Sequence, residues 1–468
     1  MASQTSQLDK LRSMQSDNTE FKREIGVFGG VSIIGGIMIG SGIFYLGSYV
    51  LQRTGMSMGF ALLCWAVGGI VTLMMGLCYA ELGAMLPRAG GGYVYLREAY
   101  HPALAFMNGF SSLFVSGSGS ITGLALALAG VIAGFVPALA GGTTQKIVAV
   151  AFIAFLTELN ILGVKVGATI QNVFMVAKLV PITLIIVLGL FMGTQSPDLS
   201  IMPASNPGMG EWIGMLAFGV VATLWAYEGW VNLNTVTEEI KDPKKNLPRA
   251  IVIAIVMVMV LYTLFNFCIY RTLPFGTIDA SINGEPRDLY LGTQTAQTLM
   301  GPTGLIIVRV GMLVSMFGSL NGCIMVFPRS YYAMAQDGAM MKSFGKLHDS
   351  YKTPVSALIA SGVVSCALAL VNDLNQITNL VVFSGMIYKA LTFAAIPIFR
   401  KRFPELDRPY KVVGYPWMVY LTIFISIALM VNSFMGDPWT SLYGLVVPAI
   451  GFAVYMISNR GASARSDA

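Results

Sequence analysis

The chain has 468 residues, 55% of them hydrophobic and only 11% charged, and its mean hydropathy is +0.70. A soluble domain carries roughly a quarter charged residues to cover its water-facing surface. This composition therefore excludes a water-soluble globule and assigns the apolar excess to lipid. The net charge of +6 needs no nucleic-acid partner, because the basic residues gather in loops on one side of a repeating apolar pattern.

Residues 1–24 are polar, lack an apolar stretch with a small-residue cleavage site, and are expected to form a tail rather than a removable signal. Beyond them, a window of roughly 20 apolar residues, the length that spans hydrocarbon as a helix, predicts twelve helices. They lie near 26–52, 59–86, 102–135, 147–163, 168–193, 211–236, 249–272, 302–334, 355–371, 376–399, 416–434 and 440–458. The fourth and ninth are short.

The first segment contains Gly35-Gly36-Ile37-Met38-Ile39-Gly40-Ser41-Gly42. Gly40 and Gly42 lower the cost of unwinding, Ser41 supplies a hydroxyl, and the N–H groups that open a second half-helix present positive partial charge to an anion. Close helix packing through small residues explains the same glycines equally well. A dinucleotide site does not, because the third glycine of GxGxxG is missing and no strand precedes it.

The fifth segment carries Lys178 at about mid-depth, too deep for comfortable snorkelling. It either tethers neighbouring carbonyls or acts as a fixed cation in place of a sodium ion. The sixth contains Leu224-Trp225-Ala226-Tyr227-Glu228-Gly229-Trp230-Val231-Asn232. Glu228 is costly there unless it is paired, protonated or wetted. The two breaks stand five segments apart, as an inverted repeat of five plus five helices requires. Arg309 and Lys389 read as residues nearer helix ends that snorkel. The connector 273–301, with Pro274, Gly276, Gly284 and Pro286, suits a short amphipathic helix and a lid.

Lys and Arg set the orientation. With the N-terminus in the cytoplasm, Lys10, Arg88, Arg97, Lys165, Lys241, Arg329, Lys346, Arg400 and Arg408 fall inside, and Arg53, Lys146, Arg271 and Arg287 outside. Both termini are expected in the cytoplasm. There is no GxxxxGK[ST] phosphate loop. The five cysteines, Cys64, Cys78, Cys268, Cys323 and Cys366, form no CxxC pair, and His101 and His348 stand far apart. No cofactor, metal or catalytic cluster is expected, and no ring of like charge suggests a channel.

Several stretches together resemble a known family. They are Ile39-Gly40-Ser41-Gly42-Ile43-Phe44; Tyr79-Ala80-Glu81-Leu82-Gly83 with Pro87-Arg88-Ala89-Gly90-Gly91-Gly92-Tyr93; Trp225-Ala226-Tyr227-Glu228-Gly229-Trp230 running into Thr237-Glu238-Glu239-Ile240 and Asn246-Leu247-Pro248-Arg249-Ala250; and Asp337-Gly338-Ala339-Met340 ahead of Thr353-Pro354. Over roughly residues 22–458 the chain resembles the amino acid–polyamine–organocation superfamily. Within it the match is to the L-type amino acid transporters and the bacterial serine/threonine and alanine-serine-cysteine exchangers.

The resemblance implies an all-α LeuT-like fold: a tail over 1–24, five-helix repeats over 25–200 and 201–400, two further helices over 401–458, and a C-terminal tail over 459–468. It implies a carboxylate site on the N–H groups at Ser41 and Gly42, an ammonium site on carbonyls near Met38 and Trp225, a gate at Trp225, and a side-chain pocket at Asn232. With Ile39, Gly40, Ala226 and Glu228 these make up the expected substrate site, and Lys178 matches the lysine of sodium-independent members. The family often has Phe at the Trp225 position and Asp or Gly at the Glu228 position. Residues 136–146 hold no Cys where animal members link to a glycoprotein, so a lone bacterial-type inner-membrane carrier, monomeric or weakly dimeric, is expected.

The implied activity is sodium-independent exchange of neutral amino acids. Two alternatives stand beside it: a proton-coupled carrier using Lys178 or Glu228, and a cationic amino acid or polyamine antiporter with Glu228 as counter-charge.

Overall fold

The computed structural model describes residues 2–466 except Asp17, Ser41, Ala140, Pro286, Asp373 and Asp437. Among them the secondary structure is helical, and one isolated parallel bridge joins Ile25 to Ile240. A short N-terminal helix α1 (Ala2–Met14) precedes α2 (Val27–Met38) and α3 (Gly42–Arg53), two half-helices bent by 54° where the sequence predicts one span. Next come α4 (Met58–Met85), a short α5 (Gly92–Ala99), and α6 (Pro102–Ser111), which a π-helical turn over Ser112–Ser116 joins to α7 (Gly117–Phe135). Helices α8 (Gly142–Ile161) and α9 (Val164–Met192) complete the first half.

The second half opens with α10 (Met209–Ala226), which ends at Tyr227 and gives way to a 3-10 run over Trp230–Glu239. Then follow α11 (Pro243–Thr272), a short α12 (Phe275–Asn283), α13 (Leu291–Val326), α14 (Pro328–Gln336), α15 (Val355–Val371), α16 (Leu374–Arg402), α17 (Trp417–Gly436) and α18 (Pro438–Ser466). Helix α12 is the one anticipated over 273–301. Helix α13 begins eleven residues earlier than the predicted 302 and kinks at Gly301, where φ is 65°. The anticipated contribution of Pro286 to this connector lies outside the described residues.

Among the described residues seven helical stretches are long and apolar enough to cross a bilayer, some of them joining adjacent helices such as α6 and α7, and eight if the bent α2–α3 pair counts as one span. Helix α15 and the apolar stretches of α17 and α18 are shorter. Phe191, Val371, Met435 and Ile457 are each more than seven-tenths exposed on the outer surface, an arrangement water would penalise and lipid accepts.

The interior is built around the broken elements. Helix α2 is enclosed by α9, α11, α13 and the 3-10 run, while α11 lies along α4 and α13 along α9. The backbone of Ile25 bonds to Glu239 and Lys241 (3.0 and 2.9 Å), which ties the entry to α2 to the end of the 3-10 run. Helices α17 and α18 pack against α16 at the periphery.

Candidate functional site

Breaking a helix frees carbonyls that must find other donors, because an unpaired buried carbonyl costs free energy comparable to a lost hydrogen bond. At the end of α2 the accounting is complete for three of them. The Gly40 N–H turns back to the Met38 carbonyl (2.9 Å) instead of continuing the helix to Gly36. The freed Gly36 carbonyl accepts from Lys178 Nζ (2.6 Å) and Ser319 Oγ (2.8 Å). The Ile39 carbonyl accepts from Lys178 Nζ (2.7 Å) and Ser315 Oγ (2.6 Å). Met38 accepts a second bond from Tyr262 Oη (2.8 Å).

Lys178 donates its third proton to the Ser315 carbonyl at 3.0 Å. An ammonium has three donors and no acceptor, so three carbonyls satisfy it fully. The side chain is wholly buried. A cation held by carbonyls in an apolar interior gathers dipoles that would otherwise diverge.

The second break follows Ala226. Tyr227 leaves helical geometry (φ −84°, ψ 5°), and Gly229 takes φ 128°, a conformation open to glycine. A Cβ on Gly229 would lie 2.7 Å from Ile37 Cγ2 and 3.2 Å from the Met38 N, so the two breaks meet at this point. They meet again where Gly42 approaches Ala226, and Tyr262 Oη, on α11, lies within hydrogen-bonding distance of both the Met38 and Ala226 carbonyls (2.8 and 3.2 Å). Tyr262 is itself wedged among the rings of Trp65 and Tyr227, with centroids 5.4 and 5.2 Å away.

A cavity of about 1370 Å³ opens on this junction. Met38, Gly40, Gly42, Trp225, Ala226, Glu228 and Asn232 line it, which brings seven of the ten singled-out residues to one surface. Ile39 and Lys178 lie behind that surface, both fully buried. Ser41 lies outside the described residues. The cavity runs past Tyr45, Tyr49 and Arg53 along α3 to Leu289 and Tyr290, just after α12, so the connector anticipated as a lid borders its mouth.

The opposite end is closed by charge. Arg329 and Glu239, each 1% exposed, pair at 2.8 Å; Arg88 pairs with Glu238 at 3.1 Å. Glu98 accepts from Lys10 of α1 (2.7 Å) and Arg97 (2.6 Å), Arg97 also meets Asp337, and Arg400 bonds Glu81 at 2.6–2.9 Å. Gln15, just after α1, donates to the Met85 carbonyl at 3.0 Å.

Lys389 departs from expectation. It does not snorkel from a helix end: it sits near the middle of α16 and donates to Glu228 Oε2 at 2.6 Å. The reason is the charge of Glu228, whose half-buried place beside the break makes an opposite partner cheaper than a solitary carboxylate. Arg309 is exposed and borders the cavity. Sequence reasoning passed over Tyr262, Ser315 and Ser319, whose hydroxyls are unremarkable within apolar helices. The signal lay in a polar pair one helical turn apart on α13, facing Lys178. Among the described residues no three His, Cys, Asp or Glu side chains converge as a metal site would require.

The sequence model of the amino acid permease family matches residues 25–455. The chain is 32% identical over 447 residues to the serine/threonine exchanger SteT of Bacillus subtilis (strain 168), covering 94% of this chain and 98% of that protein. It is 31% identical over 455 residues to the b(0,+)-type amino acid transporter 1 of Mus musculus, covering 95% and 90%. With the Asc-type amino acid transporter 1 of the same organism it shares 30% identity over 450 residues, covering 94% and 82%.

Proposed function

Because the chain belongs to the amino acid permease family, a family of membrane transporters rather than enzymes, we propose that it is a sodium-independent exchanger of neutral L-amino acids. The observation that carries the reading is Lys178 Nζ at 2.6 and 2.7 Å from the Gly36 and Ile39 carbonyls. Those carbonyls are what a coupling cation would otherwise gather at the break, and a covalently fixed ammonium removes the need for one. The names of the relatives, a serine/threonine exchanger and two amino acid transporters, support an amino acid as cargo and exchange as the mode.

A zwitterion stripped of water needs both ends satisfied, since each unpaired polar group costs several kcal/mol in an apolar setting. The opening N–H groups around Ser41 and Gly42 take the carboxylate. Carbonyls of the cavity wall near Met38 and Trp225 take the ammonium, while Ile39 backs the break through Lys178. Gly40 lets the backbone approach closely, Trp225 closes over the ligand, and Glu228 and Asn232 face its side chain. Twelve helices make up the carrier: a first repeat over 25–200, a second over 201–400, and two helices over 401–458. Both terminal tails lie on the cytoplasmic side of a bacterial inner membrane. The closed end, with α1 and its ion pairs, is then the cytoplasmic face, and the cavity opens outward. Rocking of the broken helices against the rest alternates access. The chain works without a disulfide-linked partner, residues 136–146 holding no cysteine, as a monomer or weak dimer.

Binding to purified protein tests the reading. Serine, alanine or leucine should raise the thermal midpoint equally in sodium and in choline buffer. A shift seen only with sodium, or with no amino acid at all, contradicts it.

A further inference from the structure

The cavity wall contains a charge pair that the substrate's carboxylate and ammonium do not account for. Resting on the carrier reading above, we propose that Lys389 is a built-in cation that occupies Glu228 and so excludes amino acids with cationic side chains. Remove it, and the same pocket accepts them.

Two carboxylates border the cavity among the described residues, Glu228 and Asp288. Asp288 belongs to the mouth, where Gln294 Nε2 (2.9 Å) and the Tyr290 N–H (3.1 Å) donate to it. Glu228 alone stands at the junction of the two breaks, where a bound ligand's side chain lies. A carboxylate there is the natural partner of an ammonium or guanidinium carried in by a ligand. In this chain Lys389 Nζ already holds it at 2.6 Å.

The pair is asymmetric. The Glu228 side chain is 36% exposed to the cavity, whereas that of Lys389 is 11% exposed. Behind them is a void of about 10 Å³ lined by Thr72, Met75, Trp230, Met386 and Leu429, too small to admit more than a water. Both side chains line the main cavity, so a ligand that reaches the carboxylate meets the lysine beside it. A second cation beside Glu228 would face the Lys389 charge across a few ångströms in a poorly screened site, and such like-charge opposition is an effective way to reject a wrong ligand.

The test uses the full-length protein in liposomes, with labelled serine exchange competed by unlabelled lysine and ornithine. In wild type, lysine should compete at least ~100-fold more weakly than serine. In Lys389→Met the lysine-to-serine affinity ratio should rise on the order of 100-fold. Lys389→Gln, which keeps a donor for Glu228, should rise in the same direction and serves if K389M fails to fold. Lys389→Arg, with its charge intact, should keep the wild-type ratio. K389M combined with Glu228→Gln should lose the gain. A ratio unchanged in both neutral variants, or a wild type in which lysine competes as well as serine, overturns the proposal while leaving the carrier reading intact. A wild type that exchanges no amino acid overturns both.

Discussion

Lys178 is the residue on which the first break depends. Its three donors are spent on three carbonyls, and hydrogen bonds to a charged group are worth about 1.5–3 kcal/mol each when buried. Lys178→Met leaves the Gly36 and Ile39 carbonyls with Ser319 and Ser315 alone. Exchange should fall at least ~100-fold, measured as serine counterflow, while the purified variant still elutes as a single folded species. Tyr262→Phe removes the hydroxyl that faces both the Met38 and Ala226 carbonyls but keeps the ring packing. A several-fold weakening of amino acid binding, about 1 kcal/mol, with little change in thermal midpoint is expected; a titration of the midpoint against serine would read it. Lys178 was legible in the sequence because a charge inside an apolar run has few innocent explanations. Tyr262 was not, since a tyrosine on an apolar helix reads as packing until its partners are seen. Lys389 was misjudged for a related reason: a partner 161 residues away in sequence leaves no local trace.

At the scale of elements, the breaks matter more than the helices they interrupt. Apolar runs fixed most helix positions to within a few residues, because hydrocarbon thickness dictates their length. The same runs concealed where backbone regularity fails. The turn of π-helix at Ser112–Ser116 and the 3-10 run over Trp230–Glu239 depend on packing among distant helices, not on local propensity. The two glycine-bearing breaks are the exceptions, since Gly40 and Gly42 in one apolar run and Glu228 beside Gly229 in another mark places where a helix can unwind. Gly229→Ala forces an unfavourable φ and pushes a methyl group to 2.7 Å from Ile37. The combined cost should be about 2–4 kcal/mol, visible as a lower thermal midpoint and as lost serine binding. Wild-type behaviour in that variant would mean the two breaks do not touch as described.

Across the whole molecule, one end is open and the other is held shut by buried and half-buried ion pairs. Most carry little weight singly, but Arg329–Glu239 is 1% exposed on both sides, where losing one partner strands a charge. Glu239→Gln should destabilise the protein by about 3–5 kcal/mol. Replacing both residues with methionine should recover most of that loss, a comparison that thermal unfolding in detergent can make. Equal damage from the single and double changes would show that the pair does not act as a unit. The family motifs that contain Arg88, Glu238 and Glu239 made this end recognisable in the sequence. Which groups pair, and that they seal one face while the cavity stands open at the other, required the fold.

The function proposed is carriage of a neutral zwitterion, without sodium, by a fixed lysine and two broken helices. The most direct measurement is labelled serine uptake into liposomes bearing the purified protein, in sodium-free buffer with no pH gradient, with and without unlabelled serine inside. Uptake should require internal amino acid and should not change when sodium is added. Uptake that proceeds into empty liposomes only under a sodium or proton gradient would contradict it.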